Sequence, residues 1–340
     1  MTLVLRRARA LRALPLLLAL VSCRGEPGAV IEVIVPAGAP LSVVADTLSA
    51  RGVIGAKTPF ELFARMRGLD RQIKSGRYEL RESSAWGVVL ERLTLGNVMT
   101  VPMTIPEGFQ LRQMAPRIAA ITGDTEEAVL ARLVDPDLAR DLGVPGPGVE
   151  GYLFPDTYLF APGVPVDAVL IAMVDRYKTM WSSEWRARLD DLGMSEIELV
   201  TLASIIQAEA RQNDEMPRIA SVYHNRLREG WLLQADPTVL YALGGTRQRL
   251  LYAAIDSVED NPYNTYSQPG LPPGPIGAPG EAALTAALNP APETFMYFVA
   301  RPDGTHVFTR TLVEHNRAKA SAQAERDRVG GGAQDAPEAP

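Results

Sequence analysis

The chain of 340 residues is 46% hydrophobic and 22% charged, which is enough apolar material for more than one packed core. Its formal net charge of −6 leaves no surplus of positive charge to neutralise a phosphate backbone, so nucleic acid is not an expected partner. Its one cysteine cannot form an internal disulfide, and its three histidines are far apart in the sequence, so no metal site is expected.

The first 22 residues are typical of a targeting segment. Basic residues, from Arg6 to Arg12, precede an apolar run over residues 13–21, as in a secretory signal. The run is shorter than the roughly 20 residues that a spanning helix needs, and it contains Pro15. We therefore expect a cleaved signal peptide over residues 1–22.

The only cysteine, Cys23, directly follows this apolar run in the order Leu20, Val21, Ser22, Cys23. That order resembles the lipobox of bacterial lipoproteins, in which the cysteine is lipidated and becomes the first residue. A chance cysteine near a cleavage site, or an uncleaved single-pass anchor that includes residues 3–5, are the alternatives. In each case the bulk of the chain is expected outside the cytoplasm.

After a linker at residues 23–29, residues 30–105 predict a small module that mixes strands and helices. Alternating β-branched residues indicate strands, and apolar residues at helical spacing indicate helices. The predicted elements are a strand at 31–35, a helix at 41–51, a second helix capped by Thr58, a strand at 76–80, a helix at 85–95 and a strand at 99–105.

Residues 106–325 predict a mainly helical domain. Helices are expected at 110–121 and at 125–134, the second opened by Asp124, and a long helix at 166–192. Further on, the pattern indicates a helix at 217–229, a loop rich in proline and glycine at 261–280, a β-hairpin from strands at 295–300 and 305–308, a helix from Thr311 and a disordered tail at 326–340.

The helix predicted over residues 195–210 contains the best candidate for a catalytic group. Ser195 and Glu198 have the spacing of a capping box, and Glu209 continues the apolar face of the helix. A carboxyl group on that face is desolvated and lies at the negative end of the helix dipole, so its protonated form is favoured, as a general acid requires. The alternative is a solvent-exposed glutamate, or one paired with Arg211 or Arg218.

Two later segments contain candidate substrate-binding residues. Asp236 is predicted to cap a short helix that begins at Pro237. Aromatic, amide and hydroxyl groups in one loop suit stacking on sugar rings and hydrogen bonding to acetamido groups, although turn chemistry and tyrosine packing also explain them. The candidates are Gln234, Asp236 and Thr238 in the first segment, and Tyr263, Asn264, Thr265 and Tyr266 in the second.

The sequence contains no GxSxG, Walker A or GxGxxG motif, so nucleophilic and nucleotide chemistry lack the residues that they need. Carbohydrate chemistry by an acid is the class of reaction that remains, and no cofactor is expected.

Four motifs resemble the endolytic murein transglycosylases, a family also described as YceG-like or MltG-like. They are VEGYLFPDTY at 149–158, LASIIQAE at 202–209, LQADPT at 233–238, and YNTY at 263–266 followed by GLPPGPI at 270–276. The resemblance covers roughly residues 30–320. Gln207 stands where family members often carry another glutamate, which leaves Glu209 as the candidate acid.

The resemblance implies an α+β fold with a LysM-like peptidoglycan-binding module and a lysozyme-like catalytic domain. It implies cleavage of the bond between N-acetylmuramic acid and N-acetylglucosamine within glycan strands, without water, to leave 1,6-anhydromuramyl ends. Glu209 would act first as acid and then as base. Gln234 and the loop at 263–266 would hold the acetamido group and stabilise the oxocarbenium-like state.

The resemblance also implies partners and a location. The partners are peptidoglycan glycan strands, a membrane through the N-terminal anchor, and the peptidoglycan synthesis machinery during termination of nascent strands. The catalytic domain would lie in the periplasm at the inner membrane. Family members usually have a longer transmembrane anchor, and this leader departs from that pattern.

Two other functions remain open. In a peptidoglycan hydrolase, Asp236 would be the second carboxylate and water the nucleophile. A cell-wall-binding lipoprotein without catalytic activity would use the N-terminal module alone.

Overall fold

The computed structural model describes residues 28–36, 38–96, 99–245 and 252–331. The chain divides into two compact units, Met1–Met99 and Thr100–Pro340. Helices and small antiparallel sheets form both units, which confirms the predicted α+β class. The predicted signal segment, Cys23 and residues 332–340 lie outside the described residues.

The first unit is a two-stranded antiparallel sheet packed with helices. Its elements are β1 (Val30–Val35), α1 (Leu41–Ala50), α2 (Lys57–Met66), β2 (Gly76–Arg81) and α3 (Trp86–Leu95). Val33 on β1 lies opposite Tyr78 on β2, and both side chains are buried in the core of this unit. The predicted cap of α2 is wrong, because the helix begins at Lys57, and Thr58 lies inside its first turn.

The second unit is mainly helical. Its elements are β3 (Val101–Thr104), α4 (Leu111–Thr122), α5 (Glu126–Leu133), α6 (Leu138–Leu142), β4 (Thr157–Phe160), α7 (Val166–Lys178), α8 (Ser183–Leu192), α9 (Glu196–Glu209), α10 (Met216–Arg228), α11 (Asp236–Ala242), α12 (Tyr252–Asp256), α13 (Glu281–Leu288), β5 (Tyr297–Ala300), β6 (His306–Thr309) and α14 (Leu312–Gly331).

Helix α9 lies at the centre of this unit, against α10, α11 and α13. Every residue from Leu199 to Ile206 is buried, as expected for a helix that is surrounded by other elements. Its polar side chains hold the proline- and glycine-rich loop. Ser204 Oγ accepts a hydrogen bond from the Ile276 amide at 3.0 Å, and Gln207 Oε1 accepts one from the Gly280 amide at 3.0 Å.

Strand β3 differs from the sequence prediction in its domain. It was expected to complete the small module at residues 30–105, but it pairs antiparallel with β4 in the second unit. Strand pairing with a distant segment decides this assignment, and the local sequence does not reveal the partner.

Three predicted helix boundaries are wrong. The long helix expected at 166–192 is two helices, because Ser182 caps α8 by accepting a hydrogen bond from the Trp185 amide at 3.2 Å. Thr125, not Asp124, caps α5. The predicted disordered tail begins too early, because α14 continues to Gly331. Among the described residues, no helix is long and apolar enough to cross a membrane.

Candidate active site

Glu209 is the last residue of α9, and its half-buried carboxyl group lines a cavity. The capping box at the other end of the helix forms as predicted, with Glu198 Oε2 accepting a hydrogen bond from the Ser195 amide at 2.8 Å. Burial raises the pKa of Glu209 to about 7, and the nearby Asp236 carboxylate also raises it. A carboxyl group with this pKa is partly protonated near neutral pH and is suited to general acid catalysis.

Two side chains of α10 oppose the effect of burial on the pKa of Glu209. The Tyr223 hydroxyl donates a hydrogen bond to Glu209 Oε1 at 3.0 Å. This bond and the positive charge of Arg226 both lower the pKa of Glu209. These opposing effects leave the pKa of Glu209 near neutral pH, so the group can both release and accept a proton.

The predicted alternative, a glutamate paired with Arg211 or Arg218, does not describe this site. Arg218 Nε instead donates a hydrogen bond to Glu293 Oε2 at 3.0 Å. Among the described residues, neither arginine forms an ion pair with Glu209.

The cavity beside Glu209 has a volume of about 710 Å³, which is ample for sugar rings. It brings together side chains from the end of α9, from α10, from the start of α11, from the hairpin and from α14. Its polar and aromatic lining includes Glu209, Tyr223, Arg226, Gln234, Asp236, Tyr266, Tyr297, His306, His315, Asn316 and Lys319.

A second cavity of about 810 Å³ lies between α8, α9, α10 and the loop at 269–273. Its acidic side chains are Asp191 and Glu198. Hydrogen bonds from Ser195 lower the pKa of Glu198, because they stabilise the carboxylate. The carboxyl group with a raised pKa, Glu209, lines the other cavity.

Gln234, Asp236 and Tyr266 line the cavity beside Glu209. Asp236 is the first residue of α11 rather than its cap, because Ala235 occupies the capping position, so that prediction is wrong. The Tyr266 hydroxyl donates a hydrogen bond to Asp236 Oδ1. Gln234 has a φ of 49°, a left-handed conformation that is uncommon outside glycine and is often found at functional sites.

Thr238, Asn264 and Thr265 are fully buried and do not line the cavity beside Glu209. Thr265 Oγ1 lies 2.8 Å from Thr238 Oγ1 and accepts a hydrogen bond from the Ala235 amide at 2.9 Å. The Thr265 carbonyl accepts the Gln234 amide at 3.0 Å. These bonds join the two predicted segments and fix the backbone that presents Gln234 to the cavity.

Tyr263 lies outside the cavity beside Glu209. Its ring packs against Tyr241 with centroids 4.9 Å apart, and burial, followed by the negative charge of Glu150, raises its pKa. Of the four predicted loop residues, Tyr266 lines this cavity, whereas Tyr263, Asn264 and Thr265 do not, and the sugar-binding role of the loop stays a prediction. The difference between Tyr266 and Tyr263 depends on the turn between them, in which Asn264 Oδ1 accepts a hydrogen bond from the Tyr266 amide at 3.0 Å.

The sequence did not predict that α10, the hairpin and α14 form walls of the cavity beside Glu209. Tyr223 and Arg226 are separated by one helical turn of α10, a spacing that puts both on one face. His306 in β6 is held by Glu215, with His306 Nδ1 2.8 Å from Glu215 Oε2. The sequence offered the helical spacing of these residues, but nothing in it shows that the faces converge on Glu209.

Residues 33–321 match the model of the YceG-like family. The chain belongs to this family. Among curated relatives, an endolytic murein transglycosylase of Bacillus subtilis is 33% identical over 305 residues, which cover 85% of this chain and 84% of the relative. One of Streptococcus pneumoniae is 28% identical and is covered over 56% of its length. A yceG-like protein of Listeria monocytogenes, solved by crystallography, has a TM-score of 0.59 and 32% identity over 85% of this chain and 98% of that one.

Proposed function

We propose that this member of the YceG-like family is an endolytic peptidoglycan lytic transglycosylase that uses Glu209 as its acid and base. The observation that carries the proposal is a carboxyl group with a pKa of about 7 at the edge of a cavity of about 710 Å³. The relatives named endolytic murein transglycosylase support the substrate, which is the glycan strand of peptidoglycan.

In the first step, Glu209 gives its proton to the glycosidic oxygen between N-acetylmuramic acid and N-acetylglucosamine. The bond from C1 to that oxygen breaks, its electron pair leaves with the oxygen, and positive charge develops on the muramyl ring. The new Glu209 carboxylate accepts the hydrogen bond from Tyr223 and is stabilised by Arg226. The second carboxylate, Asp236, is close enough to act electrostatically on the same cavity.

In the second step, the C6 hydroxyl of the muramyl residue attacks C1 and gives its proton to the Glu209 carboxylate. A 1,6-anhydro bond forms, no water is consumed and Glu209 returns to its starting state. Of the predicted substrate-binding residues that line the cavity, Gln234 and Tyr266 would hold the acetamido group.

Cleavage of purified glycan strands by the full chain tests this proposal. The products should be lighter by one water than hydrolysis products, and Glu209→Gln should reduce the rate by about 10²- to 10⁴-fold or more, because glutamine delivers no proton. Arg317→Gln, on a helix position that does not line the cavity, is the control. Near-normal turnover by Glu209→Gln would refute the assignment.

A hydrolase is the second candidate, because Asp236 lines the same cavity as Glu209. In that case the products would carry reducing ends, and Asp236→Asn would reduce the rate as much as Glu209→Gln does. For a lytic transglycosylase, Asp236→Asn should weaken activity less.

The first unit is proposed as a LysM-like peptidoglycan-binding module, and the leader as a signal that ends in a lipidated Cys23. The order of strands and helices in the first unit, β1, α1, α2 and β2 with β1 and β2 antiparallel, is compatible with the module. An anchored chain at the inner membrane would meet nascent strands and the synthesis machinery. Intact-mass measurement should find acyl groups on Cys23, and recovery of a membrane-bound chain that begins at Met1 would contradict this.

A further inference from the structure

One face of α14 lines the cavity that contains Glu209. The lining residues are Leu312, His315, Asn316 and Lys319. Their spacing along the chain is that of neighbours on one side of a helix. The helix therefore presents a continuous strip of side chains to the cavity, and its other faces point elsewhere.

The positively charged side chains of Arg226 and Lys319, which line this cavity, differ in the contacts that they make within the protein. Arg226 is buried, and it donates hydrogen bonds from Nε to the Met296 carbonyl at 2.8 Å and from its terminal nitrogen to the Leu233 carbonyl at 2.6 Å. Lys319 is exposed, and within the part of the chain that the structure describes it forms no ion pair. Its ammonium group is thus available to a ligand.

The neighbours of Lys319 on the strip are neutral. Burial lowers the pKa of His315, and the positive charges of Lys319 and Arg226 lower it further. The His315 ring stacks on Tyr297 at 5.0 Å between centroids, and its buried Nδ1 has no hydrogen-bond partner among the described residues. Asn316 adds an amide that both donates and accepts. The strip therefore combines one free positive charge with neutral polar groups.

We infer that Lys319, together with Asn316, binds a carboxylate on the muramyl residue of the substrate, either the lactyl carboxylate or a carboxylate of the peptide stem. An ammonium group beside an amide donor matches a carboxylate in charge and in hydrogen bonding. Lys319 lies about 10 Å along the helix axis from Leu312, at the other end of the strip. This inference rests on the proposed function, because it assigns a subsite to the same substrate.

Binding measurements separate this subsite from the chemistry. The full chain with Glu209→Gln, which binds without turnover, is titrated with three probes: soluble strands that carry peptide stems, strands stripped by an amidase so that the lactyl carboxylate is free, and chitooligosaccharide, which has no carboxylate. Each titration is repeated with Lys319→Gln, with Lys319→Arg and with Arg317→Gln. The last is a matched loss of charge on the same helix at a position that does not line the cavity.

Lys319→Gln should weaken binding of carboxylate-bearing strands by about 3- to 10-fold, while Lys319→Arg and Arg317→Gln should leave it within about 2-fold. Chitooligosaccharide binding should not respond. The lactyl group of stem-bearing strands is an amide, so a loss only with stripped strands assigns the lactyl carboxylate, and a loss only with stem-bearing strands assigns a carboxylate of the stem. A loss with both means that Lys319 binds whichever carboxylate the muramyl residue carries.

Equal losses with Lys319→Gln and Arg317→Gln, or the same loss with chitooligosaccharide, would overturn the inference while the proposed function stands. Failure of the parent protein to bind any of the three probes would overturn both.

Discussion

The hydroxyl of Tyr223 donates a hydrogen bond to Oε1 of Glu209 over 3.0 Å, which joins the middle of α10 to the last residue of α9. Tyr223 is only 1% exposed, and its ring packs edge to face against Phe298 at 5.8 Å, so it has no room to turn away. Burial and the adjacent carboxylate raise the pKa of Tyr223 well above its usual range, so it remains a donor at every working pH.

Tyr223→Phe should raise the pKa of Glu209, because the lost hydrogen bond stabilised the carboxylate. A hydrogen bond to a charged group contributes about 1.5–3 kcal/mol, so the shift should be about 1 to 2 pH units. The alkaline limb of the profile of kcat/KM against pH, measured by product release, should move to higher pH while kcat falls. Tyr152→Phe is the control, because the Tyr152 hydroxyl is buried without a partner among the described residues. An unchanged profile for Tyr223→Phe would contradict the role.

Asp236→Asn should move the same limb in the opposite direction. The Asp236 carboxylate raises the pKa of Glu209, so its neutralisation lowers that pKa. In the parent protein the rate should fall as the pH rises through about 7, because the acid form of Glu209 is then lost. In Asp236→Asn the fall should begin at a lower pH. If the alkaline limb moves to higher pH in Asp236→Asn as it does in Tyr223→Phe, Asp236 does not act through its charge.

The site could be predicted from sequence only as far as local signals reach. Glu209 follows from helical spacing and a capping box within one segment, and α9 confirms both. Asp236 and Tyr266 also reach the cavity, but Thr238 and Thr265 are buried where they form hydrogen bonds between segments far apart in the chain. No periodicity in either segment distinguishes a hydroxyl that faces substrate from one that faces the core.

Contacts between distant segments limited the prediction of the fold in the same way. The split between α7 and α8 needed only a local cap at Ser182 that the helical pattern obscured. By contrast, the pairing of β3 with β4 and the convergence of α14 on Glu209 arise from tertiary packing. Their residues have ordinary strand and helix patterns, and these do not specify a partner.

Gly151→Ala should destabilise the second unit, because the backbone passes very close to the loop at 270–276. Gly151 has a φ of +83°, and an added Cβ would lie 2.5 Å from Pro275 Cβ and 3.1 Å from Val200 Cγ1. The strained backbone and the clash together should cost about 2–4 kcal/mol of unfolding free energy. Gly148→Ala is the control, since a Cβ there meets no atom within 4 Å. Denaturant unfolding compares the two variants, and equal stability of both would refute the close approach.

Glu150 provides a stability test that is independent of catalysis. Its carboxylate accepts hydrogen bonds from the Leu111 amide at 3.2 Å and from the Tyr241 hydroxyl at 3.4 Å. Burial nevertheless raises its pKa from 4.5 to about 7. Between these values the folded protein holds a proton that the unfolded chain has released. Stability from this group is therefore complete below pH 4.5 and is lost as the pH rises through about 7.

Glu150→Gln should remove this loss, because glutamine is neutral at every pH and keeps an oxygen for the Leu111 amide. The variant should match the parent near pH 4.5 and be more stable at pH 8, by about 1–3 kcal/mol. Glu198→Gln is the control of opposite sign. Hydrogen bonds from Ser195 lower the pKa of Glu198, so its carboxylate stabilises the fold above its ordinary pKa, and the variant should be less stable than the parent at pH 8. Urea unfolding at the two pH values measures both effects. A Glu150→Gln variant that is less stable than the parent by the same amount at both pH values would mean that folding does not raise the pKa of Glu150.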